Sequence, residues 1–383
     1  MKVPFFRLRL TAAEKKAVLE AVKSGWVTSG PRVRQFEKKI ARLTGARYAA
    51  AVSSGTAGLH LVLETLGLNG TDEVITTPFT MVATIEAIIY AGARPVLADI
   101  DPVTLNIDPA AVETKLSRRS RCLLTVDMAG CPCDYARLRR LARKHGLFLL
   151  DDAAHALGAH FDGKPIGSIA DATVFSFYST KNITTGEGGM VVADSKRLID
   201  RIRRLSLHGM TSSGWKRYAG GGWKYDVTEL GYKYNMSDLA AALGLGQLAR
   251  FDLLQEKRKR LADRYLLELK DLWPYLEMPV CDEDTDPGWH LFIIKINPRR
   301  WRIGRDRLIA ELEKRGVGCG VHFIPVYRFS YFIRRFGFRP DDFPHCQEAF
   351  RRVISLPFYP DLTNEEVAYV GRVLNRLTER FGR

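Results

Sequence analysis

Three short segments of this chain carry side chains whose types and placement beside apolar runs point to chemistry. The first is Ser53-Ser54-Gly55-Thr56-Ala57, between the apolar run YAAAV and the amphipathic stretch LHLVLETLG. At a helix start, free backbone amides and the positive end of the dipole draw an anion, and Gly55 lets the chain approach a phosphate closely. Taken alone, the same hydroxyls serve equally well as a helix cap. The second is Asp151-Asp152-Ala153-Ala154-His155, directly after LFLL. A carboxylate partly withdrawn from water there needs a proton, a cation or strong donors, so one of the two calls for a cationic partner. A structural cap with a satisfied His is the competing reading. The third is Phe175-Ser176-Phe177-Tyr178-Ser179-Thr180-Lys181-Asn182, followed by the turn-rich TTGEGGMVV. Desolvation behind an aromatic strand depresses a lysine pKa and leaves the free amine that condenses with an aldehyde; an ordinary surface lysine is the alternative.

Together the segments amount to a phosphate cup, a carboxylate for a pyridinium nitrogen and an amine for an aldehyde, the three handles of pyridoxal 5′-phosphate (PLP). The chain has no GxxxxGK[ST] and no GxGxxG after a strand, which disfavours a nucleoside triphosphate or a dinucleotide. Cys131-Pro132-Cys133 has no second Cys pair or spaced His to complete a zinc site, so no metal is expected.

The elements that must position these residues follow from periodicity. From about Tyr48 to Ser206, short apolar runs (YAAAVS, DEVITT, RPVLADI, RCLLTVDM, GLFLLDD, ATVFSFY, GGMVVA) alternate with stretches whose apolar residues recur every three or four positions. That rhythm predicts an α/β fold with a mostly parallel sheet, which binds ligands at the carboxyl ends of its strands, where the three segments lie. A Gly- and aromatic-rich loop follows Leu207, then a long helix from about Ser237 to Lys270, bent near Arg250. The remainder (HLFIIKI, RDRLIAELEKRG, GCGVHFI and a final helix) predicts a smaller α+β domain. The expected organisation is an N-terminal segment 1–40 packing with the small domain, a large cofactor-binding domain 41–250 and a small domain 251–383.

The 383 residues are 46% hydrophobic and 26% charged, an ordinary globular balance. No apolar stretch is long enough for a membrane helix, and the opening MKVPFFRLRLTAAEKK lacks the form of a signal peptide. Six scattered cysteines do not make a disulfide scaffold, and a cytoplasmic location is expected. The formal net charge is +15, but the basic residues are spread through helices without an aromatic platform, so neither nucleic acid nor a membrane is expected as a partner. The excess is compatible with an anionic substrate.

At the level of ordered motifs the chain resembles the DegT/DnrJ/EryC1/StrS sugar aminotransferases of fold type I. The matching segments include VITTPFTMVATIEAII, DDAAHALGAHFDGKPIG, FSFYSTKNITTGEGGMV, LGYKYNMSDLAAALGLGQL and GVGCGVHFIPVYRF, and the resemblance runs from about residue 10 to 375. It implies a large three-layer domain with a smaller α+β domain and PLP as cofactor. By resemblance, Lys181 is the lysine that joins the cofactor aldehyde and shuttles the substrate proton, and Asp152 keeps the pyridine nitrogen protonated. Gly55, Thr56 and Ser176 match the phosphate-binding positions, with Ala57 next to them. Asn235 in GYKYN matches an asparagine reaching the cofactor phosphate of a neighbouring subunit, which implies a homodimer with shared active sites. His155 stands at a position often filled by His or Gln near the cofactor. Met81 departs from the family, which commonly has an aromatic ring or His there to stack on the pyridine; the Met sulfur can pack on a ring, and Phe79 is the alternative. His322 in VHFIP resembles a substrate-side position, and the basic, aromatic loop with Lys216, Arg217 and Trp223 is a candidate substrate contact. The implied reaction carries an amino group from L-glutamate to a nucleoside-diphosphate-linked keto sugar. The alternatives are a non-nucleotide ketone such as a keto cyclitol, a PLP-dependent sugar dehydratase of the same fold, which generally lacks the lysine present here as Lys181, and an idle polyanion-binding relative.

Overall fold

The computed structural model describes residues 1–212, 215 and 223–383. Chain order begins with α1 (Ala12–Lys23), α2 (Pro31–Leu43), β1 (Tyr48–Val52), α3 (Gly55–Thr65), β2 (Glu73–Thr76), α4 (Val82–Tyr90), β3 (Arg94–Leu97) and α5 (Pro109–Lys115). There follow β4 (Ser120–Val126), α6 (Tyr135–His145), β5 (Phe148–Asp152), the short β6 (His160–Phe161) and β7 (Lys164–Pro165), β8 (Ala172–Ser176), β9 (Gly189–Ala193) and α7 (Lys196–Leu205). The predicted strands all form.

These strands make a seven-stranded sheet of order β1-β9-β8-β5-β4-β2-β3, parallel from β8 through β3, with β9 running antiparallel to both neighbours. Alternate residues of each strand feed two different cores. Leu123, Leu149 and Phe175 pack with Phe36 and Ile40 of α2 and Leu138 of α6. Leu124, Leu150 and Val174 pack with Leu59 and Leu63 of α3 and Ile199 and Ile202 of α7. Both faces of the sheet are therefore covered, the three-layer arrangement a parallel sheet requires.

Helix ends follow local chemistry. Asp134 caps α6 by accepting from Arg137 N at 2.9 Å, and Gly146 ends the helix at φ +62°. The single long helix expected from Ser237 is two, α8 (Asp238–Leu248) and α9 (Phe251–Leu269), meeting at Arg250. The small domain continues with β10 (Leu276–Glu277), β11 (Thr285–Asp286), β12 (Phe292–Ile296), α10 (Arg305–Lys314), α11 (Ser330–Phe336), α12 (Pro344–Arg352), β13 (Val353–Leu356) and α13 (Asn364–Phe381). Its core sets Tyr265 and Leu269 of α9 and Leu374 and Leu377 of α13 against Phe292 and Ile294 of β12. A further apolar core joins the domains, Phe79, Ile85 and Met128 meeting Leu291, Ile293 and Val326.

The first 40 residues divide between the two domains instead of packing only with the small one. Val3 exchanges backbone hydrogen bonds with Gly316 and Gly318, and Arg7 pairs with Glu366 at 3.0 Å. Beyond them, α1 and α2 lie on α8 and the large sheet. Buried Asp238 fixes this arrangement by accepting from the amides of Gly30 (2.9 Å) and Val33 (3.0 Å) at the start of α2. Buried Glu14 of α1 accepts from Gln247 at 2.7 Å and Arg250 at 3.1 Å.

The sequence spacing of the cysteines did not reveal that Cys131 and Cys281 are disulfide-bonded across 150 residues, with Cα atoms 5.8 Å apart. Cys133, the other thiol of the CPC triplet, is buried and turned to the carbonyl of Val126. Among the described residues no helix is long and apolar enough to cross a membrane. Closing so long a loop restricts the unfolded chain, so Cys281→Ser is expected to lower the unfolding free energy by about 2–4 kcal/mol in oxidising buffer. Denaturant titration checks this, and the difference from wild type should vanish when both proteins carry reduced thiols.

Candidate functional site

A cavity of about 380 Å³ opens at the carboxyl ends of β5 and β8 and is walled on one side by the small domain. Into it the structure brings Gly55, Thr56, Met81, Asp152, His155, Ser176, Lys181 and His322, eight of the residues singled out in the sequence.

The phosphate candidates meet through close backbone approach. Ser54 caps α3 by accepting from Ala57 N at 3.0 Å. The cap leaves the amides of Gly55 and Thr56 available to an anion, because in the first turn they have no intrahelical acceptor. Ala57 is the exception among the expected residues: its amide is committed to Ser54, and it stays in the core outside the cavity lining. A Cβ on Gly55 would lie 3.2 Å from Cβ of Ser176, so the helix start and the end of β8 abut. A Cβ on Gly189 would lie 2.5 Å from the carbonyl of Ser54, which explains the glycine that opens β9.

Asp152 ends β5 and is 7% exposed. Its Oδ2 accepts from Thr84 Oγ1 at 2.8 Å, and its Oδ1 accepts weakly from Ala154 N at 3.3 Å. Since the one Thr84 hydroxyl proton goes to Asp152, Thr80, 2.8 Å behind it, donates to Thr84. Burial pushes the Asp152 carboxyl above its ordinary value, opposed by the Thr84 hydrogen bond and the charge of Lys181. Lys181 is half-buried on the turn after β8, its amide donating to Tyr178 O at 3.0 Å. Burial lowers its ammonium pKa to about 8, and Asp152 acts in the opposite direction. The pair is thus an ammonium of lowered pKa, readily deprotonated near pH 8, facing a buried carboxylate.

Histidines line the small-domain side. The rings of His155 and His290 lie 4.4 Å apart, and Phe323 stacks on His155 at 5.8 Å. Burial, reinforced by their positive neighbours, holds both far below the usual imidazole range. His322 Nδ1 is 2.9 Å from Ser355 Oγ, and burial takes its pKa down to about 4. The three rings are therefore uncharged at neutral pH.

Met81 is 53% exposed and lines the cavity with Thr80 and Ala83, whereas Phe79 is packed in the core between the domains. Asn235 bridges Val52 through its backbone and donates from Nδ2 to Ser29 Oγ at 2.6 Å, outside the cavity of its own chain. Lys216 and Arg217 lie outside the described residues; Trp223 is 79% exposed. Sequence reasoning missed Thr84, Thr80, Glu187 and His290. Thr84 stands inside the quoted TPFTMVAT segment, but nothing local shows that its hydroxyl meets a residue 68 positions away. Among the described lining residues Lys181 is the only Lys or Arg.

These residues fit PLP: an amine of depressed pKa, a buried carboxylate held by a hydroxyl, and a helix start with free amides beside a serine hydroxyl. Comparison with known proteins gives the same cofactor. The model of the DegT/DnrJ/EryC1/StrS aminotransferase family matches residues 9–375. The spore coat polysaccharide biosynthesis protein SpsC of Bacillus subtilis is 44% identical over 356 residues, 92% of this chain and 91% of its own length. Spr1654 of Streptococcus pneumoniae, solved in PMP and PLP forms, superposes with TM-scores of 0.93 and 0.92 at 31% identity; the alignments cover 99% of this chain and 100% and 99% of the two solved chains. DesI, solved in the presence of its TDP-sugar product, superposes with a TM-score of 0.87 at 34% identity, covering 97% of this chain and 91% of its own.

The lowered Lys181 value has a direct consequence. Only the free amine attacks a carbonyl, so labelling of the apoprotein by a small aromatic aldehyde with borohydride trapping is expected to rise about tenfold per pH unit below pH 8 and level off above it. Mass spectrometry of the Lys181 peptide reads the rate; a rise continuing to the ordinary lysine range would contradict the depressed value.

Proposed function

This chain belongs to the DegT/DnrJ/EryC1/StrS aminotransferase family and is a PLP-dependent sugar aminotransferase, and on that premise we propose that it carries an amino group from L-glutamate to a nucleoside-diphosphate-linked keto sugar, as a homodimer with shared active sites. The observation that carries this reading is the convergence of Lys181, Asp152, Gly55, Thr56 and Ser176 on one cavity at the strand ends.

When bound, PLP supplies an aldehyde carbon that links to amines and a protonated ring that draws electrons from the bond being broken. The chain supplies the rest. Lys181 would hold the cofactor covalently, and its freed amine would move a proton from the α-carbon of the amino donor to the cofactor's C4′ in one half of the reaction and from C4′ to the sugar carbon in the other; positioned proton transfer is worth about 10²- to 10⁴-fold in rate. Asp152, steadied by Thr84, keeps a proton on the ring nitrogen. The amides of Gly55 and Thr56 and the Ser176 hydroxyl receive the phosphate. His155 and Met81 border the ring, and neutral His322 offers a hydrogen bond to the sugar without competing for the proton that Lys181 handles.

The cavity's shortage of cations bears on the diphosphate. With Lys181 alone among the described lining residues, the charge that meets two phosphates comes from elsewhere, and Lys216 and Arg217 in the basic loop are assigned to it. Asn235 is assigned to the neighbouring subunit's cofactor phosphate, in keeping with its place outside the cavity of its own chain. TDP-sugar in the DesI structure supports the substrate class.

Protein loaded with PMP and offered a panel of keto sugar nucleotides should regain the PLP absorbance with at least one of them; response only to free keto cyclitols would refute the nucleotide. Neutralising Lys216 and Arg217 should raise the sugar-nucleotide KM several-fold and leave the glutamate half-reaction unchanged. If Asn235 acts across subunits, mixing inactive Lys181→Ala with impaired Asn235→Ala protein should restore about a quarter of wild-type activity after random reassortment of dimers. No recovery on mixing would place Asn235 in its own chain's site.

A further inference from the structure

Three carboxyl groups crowd the ends of two neighbouring strands. In the β4–β5 register Thr125 is opposite Asp151 and Val126 is opposite Asp152, and Asp127 N donates to the Asp152 carbonyl at 3.4 Å. Strand alternation sends Val126 and Asp152 to the cavity and Thr125 and Asp151 to the far face, under α6. Asp127 joins them there. It is fully buried, and Asp151 is only 1% exposed.

Hydrogen-bond counting on that far face leaves a proton short. Asp127 Oδ1 accepts from Cys133 N at 2.8 Å and from the Tyr135 hydroxyl at 3.0 Å, while its Oδ2 is buried with no partner. Asp151 Oδ1 has the Thr125 hydroxyl at 3.3 Å, a proton also within reach of Tyr135 and of the Leu150 carbonyl. Neither carboxyl has an ion pair among the described residues, although Asp152 is near Lys181. An ionised acid with an orphaned oxygen is costly in such a place, and two like charges beside it add to the cost.

We propose that Asp127 and Asp151, linked through Tyr135 and Thr125, hold a titrating proton on the far face of the sheet and act as positioning residues for Asp152, the three carboxyls carrying two negative charges while that proton is in place and three once it leaves. The proposal rests on the assignment of Asp152 to the ring nitrogen. The groups facing the pair are Cys133, Tyr135 and Thr125 on the α6 side and Asp152, with Lys181 beyond it, on the other. Burial, with the Asp152 charge behind it, lifts the Asp127 carboxyl to about 7, against the hydrogen bonds from Cys133 and Tyr135. Burial and then Asp127 raise Asp151 as well. The sign follows: as pH rises through 7 the cluster loses a proton and gains a negative charge behind Asp152. That charge strengthens the hold of Asp152 on a ring-nitrogen proton in the range where the proton would otherwise begin to leave.

Infrared spectroscopy of the apoprotein between about pH 6 and pH 8.5 tests the cluster directly, because a neutral buried carboxyl has its own carbonyl band. Wild type should show that band at the lower pH and lose it with a midpoint near 7, Asp127→Asn should abolish this transition, and Tyr135→Phe, which removes a donor to the ionised acid, should move the midpoint upward. Asp127→Asn should also bind PLP within about twofold of wild type at the lower pH and several-fold more weakly at the higher, a difference that disappears with a cofactor analogue lacking the ring nitrogen. Absence of the neutral-acid band in wild type, or a transition unchanged in Asp127→Asn, would overturn the proposal. If Asp127→Asn does not fold, the wild-type titration and Tyr135→Phe decide. Failure of wild type to bind PLP would instead undo the functional reading and leave the infrared result standing.

Discussion

The confrontation of a withdrawn amine with a withdrawn carboxylate organises this molecule. Lys181 and Asp152 share one cavity, where burial works against the charge of each and their mutual attraction works for it. Neither would be stable in that state on a loose chain. The parallel pairing of β5 with β8 supplies the rigidity: Asp152 is in register with Val174, and Ser176 ends β8 two residues further on, beside the start of α3. A carboxylate, a hydroxyl and a helix start thereby face one space, the position at which parallel sheets offer their ligands a site.

The walls of that space are kept electrically quiet. His155, His290 and His322 all lose their charge to burial, and His155 packs against the His290 ring on one side and stacks on Phe323. Neutral rings near Lys181 neither repel its protonated form nor take the proton it handles. The apolar core between the domains, in which Met128 of the β4 turn meets Leu291 and Ile293, carries His290 to this wall from the small domain. The backbone makes the same join, since Gly288 and His290 donate to the carbonyls of Gly130 and Ala129 at 2.8 and 2.9 Å. The Cys131–Cys281 bond lies beside this seam.

Much of this was legible in advance, for a definable reason. Each strand and the functional segment that follows it are contiguous in the chain, so periodicity located the strand ends and the residue types there named the chemistry. Ser54 shows the limit of that reading: cap and phosphate cup had looked like rivals, and the structure has one serine oxygen doing the first while the amides of Gly55 and Thr56 remain for the second. Phe79 shows another, because an aromatic two residues from Met81 looked available until the interdomain core claimed it.

Local pattern, then, was enough to expect an α/β fold with a mostly parallel sheet and to single out Lys181, Asp152 and the Gly55 segment, which the structure gathers on one cavity. Tertiary structure alone decided that Thr84 steadies Asp152, that α1 and α2 cover the large domain while Val3 joins the small one, that a disulfide spans 150 residues, and that Asp151 turns away from Asp152 to meet Asp127. The division has a physical origin. A residue's own periodicity and its neighbours set the direction of its element, whereas contact between distant residues depends on which elements pack together and in what register, and no single stretch of chain contains that information.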